Sequence, residues 1–204
     1  MAQFPNEKLI LASASPRRRD LLEEIQIDFE IIPAHIWEGR LDGEACEKLA
    51  MRLACEKATE IAKRHTNRWV LGADTIVTLP GNPERILGKP ESDDEAVSML
   101  LDLSGKEHWV QTGVALVKWS GETGEAKTIV WVEKSRVVFR NLTETEIREY
   151  VRTGEPMDKA GAYAIQGGAA AFVDHYEGSW TNIVGLPMES LSERLREVGL
   201  LESR

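Results

Sequence analysis

The residues best suited to chemistry form a short segment rich in serine and arginine. Ser13 and Ser15 precede Pro16, and three arginines follow at 17–19. The apolar run before them and the leucines after them predict a strand, a turn and a helix that begins at Pro16 with Ser15 as its N-cap. A helix start favours acidic residues, because the helix dipole is positive there. Arginines at this place indicate a phosphate-binding site, with a solvated basic turn as the alternative.

A carboxylate interrupts the most apolar stretch of the sequence. Residues 69–79 read WVLGADTIVTL and are apolar on both faces except for Asp74 and Thr75. This pattern is typical of a central strand in a covered sheet. A carboxylate in such a strand is costly unless it is paired or metal-bound. Asp74 is therefore a candidate metal ligand or base, although it could instead cap a neighbouring loop.

Further positive groups are spread along the chain. Lys57 falls within the apolar stripe of a helix predicted over 44–64, where it either snorkels to the rim of the core or points into a cleft. Lys89 follows in a loop rich in proline and glycine, and Lys159 in a segment of small residues. Together with the arginines these lysines could neutralise a triphosphate, and Asp74 could serve a metal or a water. Hydrolysis at phosphorus mainly requires such positioning and charge stabilisation.

Several motifs of other enzyme classes are missing from the sequence. It contains no GxxxxGK[ST] loop, no GxGxxG, no HExxH, no CxxC and no GxSxG elbow. Its four histidines have no spacing typical of a metal site. Nucleophilic catalysis by a serine is disfavoured as well, because no base lies near in sequence.

Composition restricts the class of partner. The 204 residues carry a net charge of −9, which opposes nucleic acid as a general partner but still allows a small polyanion in a local basic pocket. We expect a cytoplasmic protein without a membrane partner, because the sequence has neither a long apolar span nor a signal-peptide pattern. The two cysteines are expected to be reduced core thiols.

The elements that must position these residues follow from periodicity and capping signals. Beyond those above, the sequence predicts a strand over 28–33, helices starting after Ser92 and Thr143, a hairpin of strands 108–119 and 128–139, and an amphipathic helix over 187–199. We predict a single domain over 1–204, with a hairpin lobe at about 107–140 as the alternative division.

Longer motifs then suggest a family. They are SASPRR at 13–18, RLACEKA at 52–58, GADTIV at 72–77, ILGKP at 86–90, LSGKEHWVQTGVAL at 103–116, EPMDKAGAYAIQG at 155–167 and VGLP at 184–187. In this order they resemble the Maf family, the septum formation proteins, of nucleoside triphosphate pyrophosphatases. The resemblance implies an α/β fold: an elongated, bent mixed β-sheet with flanking helices around a central cleft, similar to the inosine triphosphatase-like proteins.

The resemblance also implies an activity, the hydrolysis of the α–β phosphoanhydride of a nucleoside triphosphate. It assigns Ser13, Arg17, Arg18, Lys57 and Lys89 to substrate binding. It makes Asp74 the catalytic residue, either as base or as ligand of a divalent cation, Mg²⁺ or Mn²⁺. It also makes Glu38 a second ligand of that metal. Trp37 departs from the acidic residue common beside Glu38 in the family. The family also suggests a homodimer.

Two positions suggest a branch of the family. Thr75 and Gln166 resemble the branch acting on dTTP and UTP rather than the one acting on 7-methyl-GTP. A glutamine amide offers one donor group and one acceptor, and a uracil or thymine edge requires both. The implied role is house-cleaning of pyrimidine nucleotides, including modified ones. The alternatives are a nucleotide-binding regulator of cell division without turnover and a nucleotidyltransferase.

Overall fold

The computed structural model describes residues 8–81 and 85–202. Within them the strands β1 to β7 are Leu9–Leu11, Phe29–Ile31, Trp69–Leu79, Arg85–Leu87, Glu107–Trp119, Ala126–Phe139 and Val173–Glu177. The helices α1 to α6 are Pro16–Glu24, Cys46–Ala62, Asp93–Leu103, Glu144–Val151, Trp180–Val184 and Met188–Glu197. Three 3₁₀ segments cover Glu155–Asp158, Ala160–Ala162 and Gly168–Phe172.

The strands form one mixed sheet. Its order is β2-β1-β3-β5-β6-β7, and β4 also pairs with β3. Strand β1 runs parallel to β2 and β3, whereas β4 is antiparallel to β3 and β7 is antiparallel to β6. The predicted class, an α/β fold with a mixed sheet, is confirmed.

By their contacts the residues fall into two compact units. The described residues of the first unit are 8–74, 112–133 and 185–202, and those of the second are 75–81, 85–111 and 134–184. Strands β3, β5 and β6 each contribute residues to both units. The region 107–140 is divided between the units, and the assignment of 1–204 to one domain stays a prediction.

In the first unit, α2 packs on β3 and β5 at two glycines. A Cβ atom at Gly72 would overlap the carbonyl oxygen of Ala54, and one at Gly113 would overlap the backbone of Ala50. The alanines of α2 therefore lie directly on the strands, and the resulting core is fully buried. Its members are Ile10, Ala12, Ala54, Ala58, Ile61, Ala62, Val70, Ala115 and Val117.

The second unit contains a core of edge-to-face rings. Phe139 contacts both His108 and Tyr163, with ring centres 4.9 Å apart in each pair. The Nε2 atom of His108 lies 2.8 Å from the hydroxyl of Tyr163. Burial lowers the pKa of His108 to about 3, so this imidazole is neutral at physiological pH.

Local signals predicted most helices well. Helix α2 occupies the middle of the predicted 44–64 segment, and the capping box of Thr143 and Glu146 is complete. Ser92 also caps its helix by accepting the N–H of Glu95, and the carboxylate of Glu95 accepts the N–H of Glu91. Strand β4 lies in a predicted loop, of which 82–84 are outside the described residues. In the described ranges, no helix is long and apolar enough to cross a membrane.

Candidate active site

The start of α1 is arranged around the hydroxyl of Ser13. This buried oxygen accepts hydrogen bonds from the backbone N–H of Ser15 and from Nη1 of Arg18, both at 3.2 Å. The Nε atom of Arg18 donates to the carbonyl of Gly185 at 2.8 Å, which fixes the direction of the guanidinium. Ser15 occupies the predicted N-cap position, but its side chain makes no capping bond. The helix start thus carries a fixed cation and no side-chain cap from Ser15.

The three arginines differ in environment. The pKa of Arg18 is lowered, mainly by burial. The charges of Asp74 and Glu38 oppose this lowering, whereas the charge of Arg17 adds to it. The guanidinium of Arg18 therefore lies within electrostatic reach of both carboxylates. Arg19 is exposed and pairs with Asp20 and Glu23. Arg17 is half-buried.

Lys57 joins the two carboxylates. Its Nζ atom lies 2.7 Å from Oδ1 of Asp74 and 2.8 Å from Oε1 of Glu38. The side chains of Lys57 and Asp74 are each 11% exposed, whereas that of Glu38 is 56% exposed. Asp74 and Gly72 point to the same face of β3, because alternate residues of a strand share a face. The close approach of α2 at Gly72 thereby brings Lys57 to Asp74.

Arg52 holds the segment that carries Glu38. Its Nε and Nη2 atoms donate to the two carboxylate oxygens of Glu44 at 2.7 and 2.9 Å, and Nη2 also donates to the carbonyl of Gly39 at 2.8 Å. The Cζ atom of Arg52 lies 6.0 Å from the ring centre of Trp37. Arg52 lowers the pKa of Glu44 to about 2. Sequence analysis missed this anchor, although Arg52 and Glu56 have the spacing of a helical ion pair.

Asp74 and Glu38 are the carboxylates that a divalent cation could bind. Among the described residues, no group of three or more His, Cys, Asp or Glu side chains is arranged to hold a metal ion. Mg²⁺ commonly uses only one or two protein carboxylates and takes its other oxygen ligands from substrate phosphates and water. Asp74 and Glu38, which share the ammonium of Lys57, fit a cation of that kind.

The remaining predicted residues belong to the second unit. Thr75 is half-buried on β3, Lys89 is exposed after β4, and Gln166 is exposed in a turn before the last 3₁₀ segment. The side chain of Lys159 is 13% exposed and pairs with Asp158. The structure thus brings Ser13, Arg18, Lys57, Asp74 and Glu38 together within the first unit, while Thr75, Lys89 and Gln166 lie in the second.

Known proteins are similar to this sequence over nearly its whole length. The family model described as "Maf-like protein" matches residues 8–198. A "dTTP/UTP pyrophosphatase" of Geobacillus sp. (strain WCH70) is 47% identical over 192 residues, which are 94% of this chain and 97% of that protein. Proteins of the same name from Pelotomaculum thermopropionicum and Geobacter metallireducens are each 46% identical, over 95% and 96% of this chain and 97% and 98% of their own. This chain belongs to the Maf family.

Proposed function

We propose that this protein hydrolyses the α–β phosphoanhydride of dTTP and UTP, and of related modified pyrimidine nucleotides, to the nucleoside monophosphate and pyrophosphate. The observation that carries the proposal is the buried carboxylate of Asp74, which pairs with Lys57 at 2.7 Å and lies within electrostatic reach of Arg18. The names of the similar proteins supply the substrate class. The physiological role is the removal of pyrimidine nucleotides that should not accumulate.

The phosphate chain is bound at the start of α1. Ser13, Arg17 and Arg18 supply a hydroxyl and two guanidinium groups, and the helix start adds its positive dipole end. Arg18 is held by Ser13 and Gly185, so little freedom is lost when a phosphate oxygen is bound. Lys57 and Lys89 add positive charge that offsets the charge developing on the phosphate oxygens.

Asp74 acts on the water. In the reaction, the water oxygen forms a bond to one phosphorus of the α–β anhydride, and the bond between that phosphorus and the bridging oxygen breaks. The bridging oxygen leaves with the other phosphorus, and the proton of the water passes to Asp74 or to solvent. Lys57 orients the carboxylate of Asp74 through the 2.7 Å contact. As a general base, Asp74 accepts this proton directly; as a metal ligand, it would help to hold a divalent cation. Both roles require the same carboxylate at the same place.

Asp74 and Glu38 are the residues that would hold a divalent cation. We assign Mg²⁺ or Mn²⁺ to Asp74 and Glu38, because hard oxygen ligands suit both ions. When bound, such an ion withdraws charge from the phosphate oxygens and favours ionisation of a bound water. Lys57 would then share its carboxylate partners with the cation, and Arg52 would keep Glu38 within reach by holding Gly39 and Glu44.

Recognition of the base is assigned to Gln166. Gln166 is exposed, so its amide is accessible to a ligand, and it can donate one hydrogen bond and accept another. Uracil and thymine offer the matching acceptor and donor on one edge. Thr75, directly after Asp74, is assigned to the same preference.

We further propose that residues 1–204 act as one functional domain and that the protein works as a cytoplasmic homodimer, which light scattering and cell fractionation would test.

The experiment is a product analysis with a panel of ordinary and modified nucleoside triphosphates in Mg²⁺, Mn²⁺ or Co²⁺. Equal amounts of monophosphate and pyrophosphate from dTTP and UTP are expected, at rates above those for purine nucleotides. Release of the nucleoside diphosphate and orthophosphate would contradict the assignment of the α–β bond. Tight binding of dTTP with metal but without product would indicate the regulator, and a nucleotide found on an added acceptor would indicate the transferase.

A further inference from the structure

Two polar side chains of the second unit hold both ends of the turn that carries Gln166. The turn runs from Ala164 to Gly167, whose N–H donates to the carbonyl of Ala164 at 3.0 Å. Gln166 is its third residue. The two side chains are Tyr150, in the last turn of α4, and Glu155, which begins the first 3₁₀ segment.

Tyr150 and Glu155 form a clamp, by which we mean these two side chains and their mutual hydrogen bond. The hydroxyl of Tyr150 donates to Oε1 of Glu155 at 2.7 Å and accepts the N–H of Ala164 at 3.1 Å. The other carboxylate oxygen of Glu155 accepts the N–H of Gly168 at 3.3 Å. The clamp therefore binds the backbone at the first residue of the turn and just after its last.

The clamp is itself fixed by close packing. The ring of Tyr150 is 6% exposed and meets Phe172 edge-to-face with ring centres 5.2 Å apart. A Cβ atom at Gly167 would overlap the carboxylate of Glu155, and one at Gly168 would lie 3.1 Å from the ring of Tyr150. The two glycines allow the backbone of the turn to lie directly against the clamp. The exposed side chain of Gln166 thus projects from a backbone held on both sides.

We infer that Tyr150 and Glu155 are positioning residues that set the nucleobase preference by holding the turn of Gln166. This inference rests on the proposed function, in which Gln166 contacts the base. An amide can tell a uracil or thymine edge from a cytosine edge only if its donor and acceptor are correctly placed, because cytosine reverses the two groups. Loss of the clamp therefore lowers the preference for thymine over cytosine and leaves phosphate binding at α1 intact.

The test compares kcat/KM for dTTP and dCTP in the wild type and in clamp variants. Tyr150→Phe keeps the ring and removes the hydroxyl, whereas Glu155→Ala removes both acceptors. We expect each of these variants, like Gln166→Ala, to lower the dTTP/dCTP ratio roughly tenfold, because a small displacement of a recognition group strongly weakens its contacts. Because both substrates are measured on one sample, the ratio does not depend on the fraction of protein that is folded.

Three controls separate positioning from a general structural role. Glu155→Gln keeps an acceptor for Gly168 and should stay within about threefold of the wild-type ratio. Glu149→Gln changes an exposed carboxylate on the same helix and should leave the ratio unchanged. Tyr150→Phe combined with Gln166→Ala should lower the ratio no further than Gln166→Ala alone, since residues acting through one group are not additive. Inhibition by tripolyphosphate should be equal in all variants.

The outcomes distinguish this inference from the proposed function. An unchanged ratio in both Tyr150→Phe and Glu155→Ala would overturn the inference while the activity stands. An unchanged ratio in Gln166→Ala, or a wild type that hydrolyses dTTP and dCTP equally, would overturn it as well. A wild type that releases no pyrophosphate from dTTP would instead remove the proposed function.

Discussion

The Nζ atom of Lys57 lies 2.7 Å from Oδ1 of Asp74, and both side chains are almost completely buried. They come from different elements, α2 and β3, and meet because Gly72 lets the helix approach the strand. Each charge depends on the other, because a buried charge without a partner is strongly unfavourable. The contact therefore serves both the fold of the first unit and the proposed chemistry.

Replacing Lys57 by an uncharged residue should lower both the activity and the stability of the protein. We expect Lys57→Met to lower kcat/KM for dTTP at least a hundredfold and the free energy of unfolding by up to about 3 kcal/mol. Urea unfolding and pyrophosphate release measure the two effects. Lys48→Met, an exposed lysine on the same helix, is the matched control. In combination with Asp74→Asn the stability loss should be less than additive; strict additivity would show that the pair is not coupled.

The approach of α2 to β3 can be tested at Gly72. In Gly72→Ala the added methyl group would meet the carbonyl of Ala54, so the helix must shift away from the strand. We expect a loss of about 1–3 kcal/mol in the free energy of unfolding, with a lower kcat because Lys57 moves with the helix. Gly88→Ala is the control for stability, since open space surrounds that position. Equal unfolding free energies of the two variants would contradict the packing described for α2.

Arg52 is expected to act through Glu38. Arg52→Lys keeps the charge but loses the paired donation to Glu44 and the contact with Gly39. We expect a roughly tenfold higher Mn²⁺ concentration for half-maximal activity, with a smaller change in kcat at saturating metal. Arg64→Lys, on an exposed arginine just after α2, should change neither quantity. An unchanged Mn²⁺ requirement in Arg52→Lys would contradict the assignment of Glu38 as a metal ligand positioned by Arg52.

The buried imidazole of His108 should make stability depend on pH. Its pKa is about 3 in the folded protein and about 6.5 in the unfolded chain. The unfolded chain thus binds the extra proton between these values, and stability falls as the pH drops below about 6.5. At pH 5 the loss is about 2 kcal/mol.

Thermal unfolding from pH 7 to pH 5 measures this loss. His108→Phe should show a smaller decrease in Tm over this range than the wild type, although its Tm at pH 7 is lower because Tyr163 loses a partner. His175→Gln, at an exposed histidine, should follow the wild type. A decrease in His108→Phe as large as in the wild type would contradict the assignment to His108.

Local patterns predicted α2, the capping box of Thr143 and the strand around Asp74, because each depends on residues close in sequence. The contact of Lys57 with Asp74 is a tertiary relationship. The helical spacing of Lys57 alone was compatible either with snorkelling at the rim of the core or with pointing into a cleft. Strand β7 was not predicted, since its exposed sequence VDHYE lacks an apolar alternation. The clamp on the Gln166 turn was also missed, because a tyrosine ending a helix carries no sign that its hydroxyl binds a backbone fourteen residues later.

The most direct test of the central claim is pyrophosphate release from dTTP by Asp74→Asn. Asparagine keeps the size of the side chain but can neither accept the proton of a water nor balance a divalent cation. We predict a loss of at least a thousandfold in kcat, while dTTP still protects the variant against thermal unfolding and Asp174→Asn, at an exposed aspartate, keeps wild-type activity. Full metal-dependent pyrophosphate release by Asp74→Asn would contradict the account.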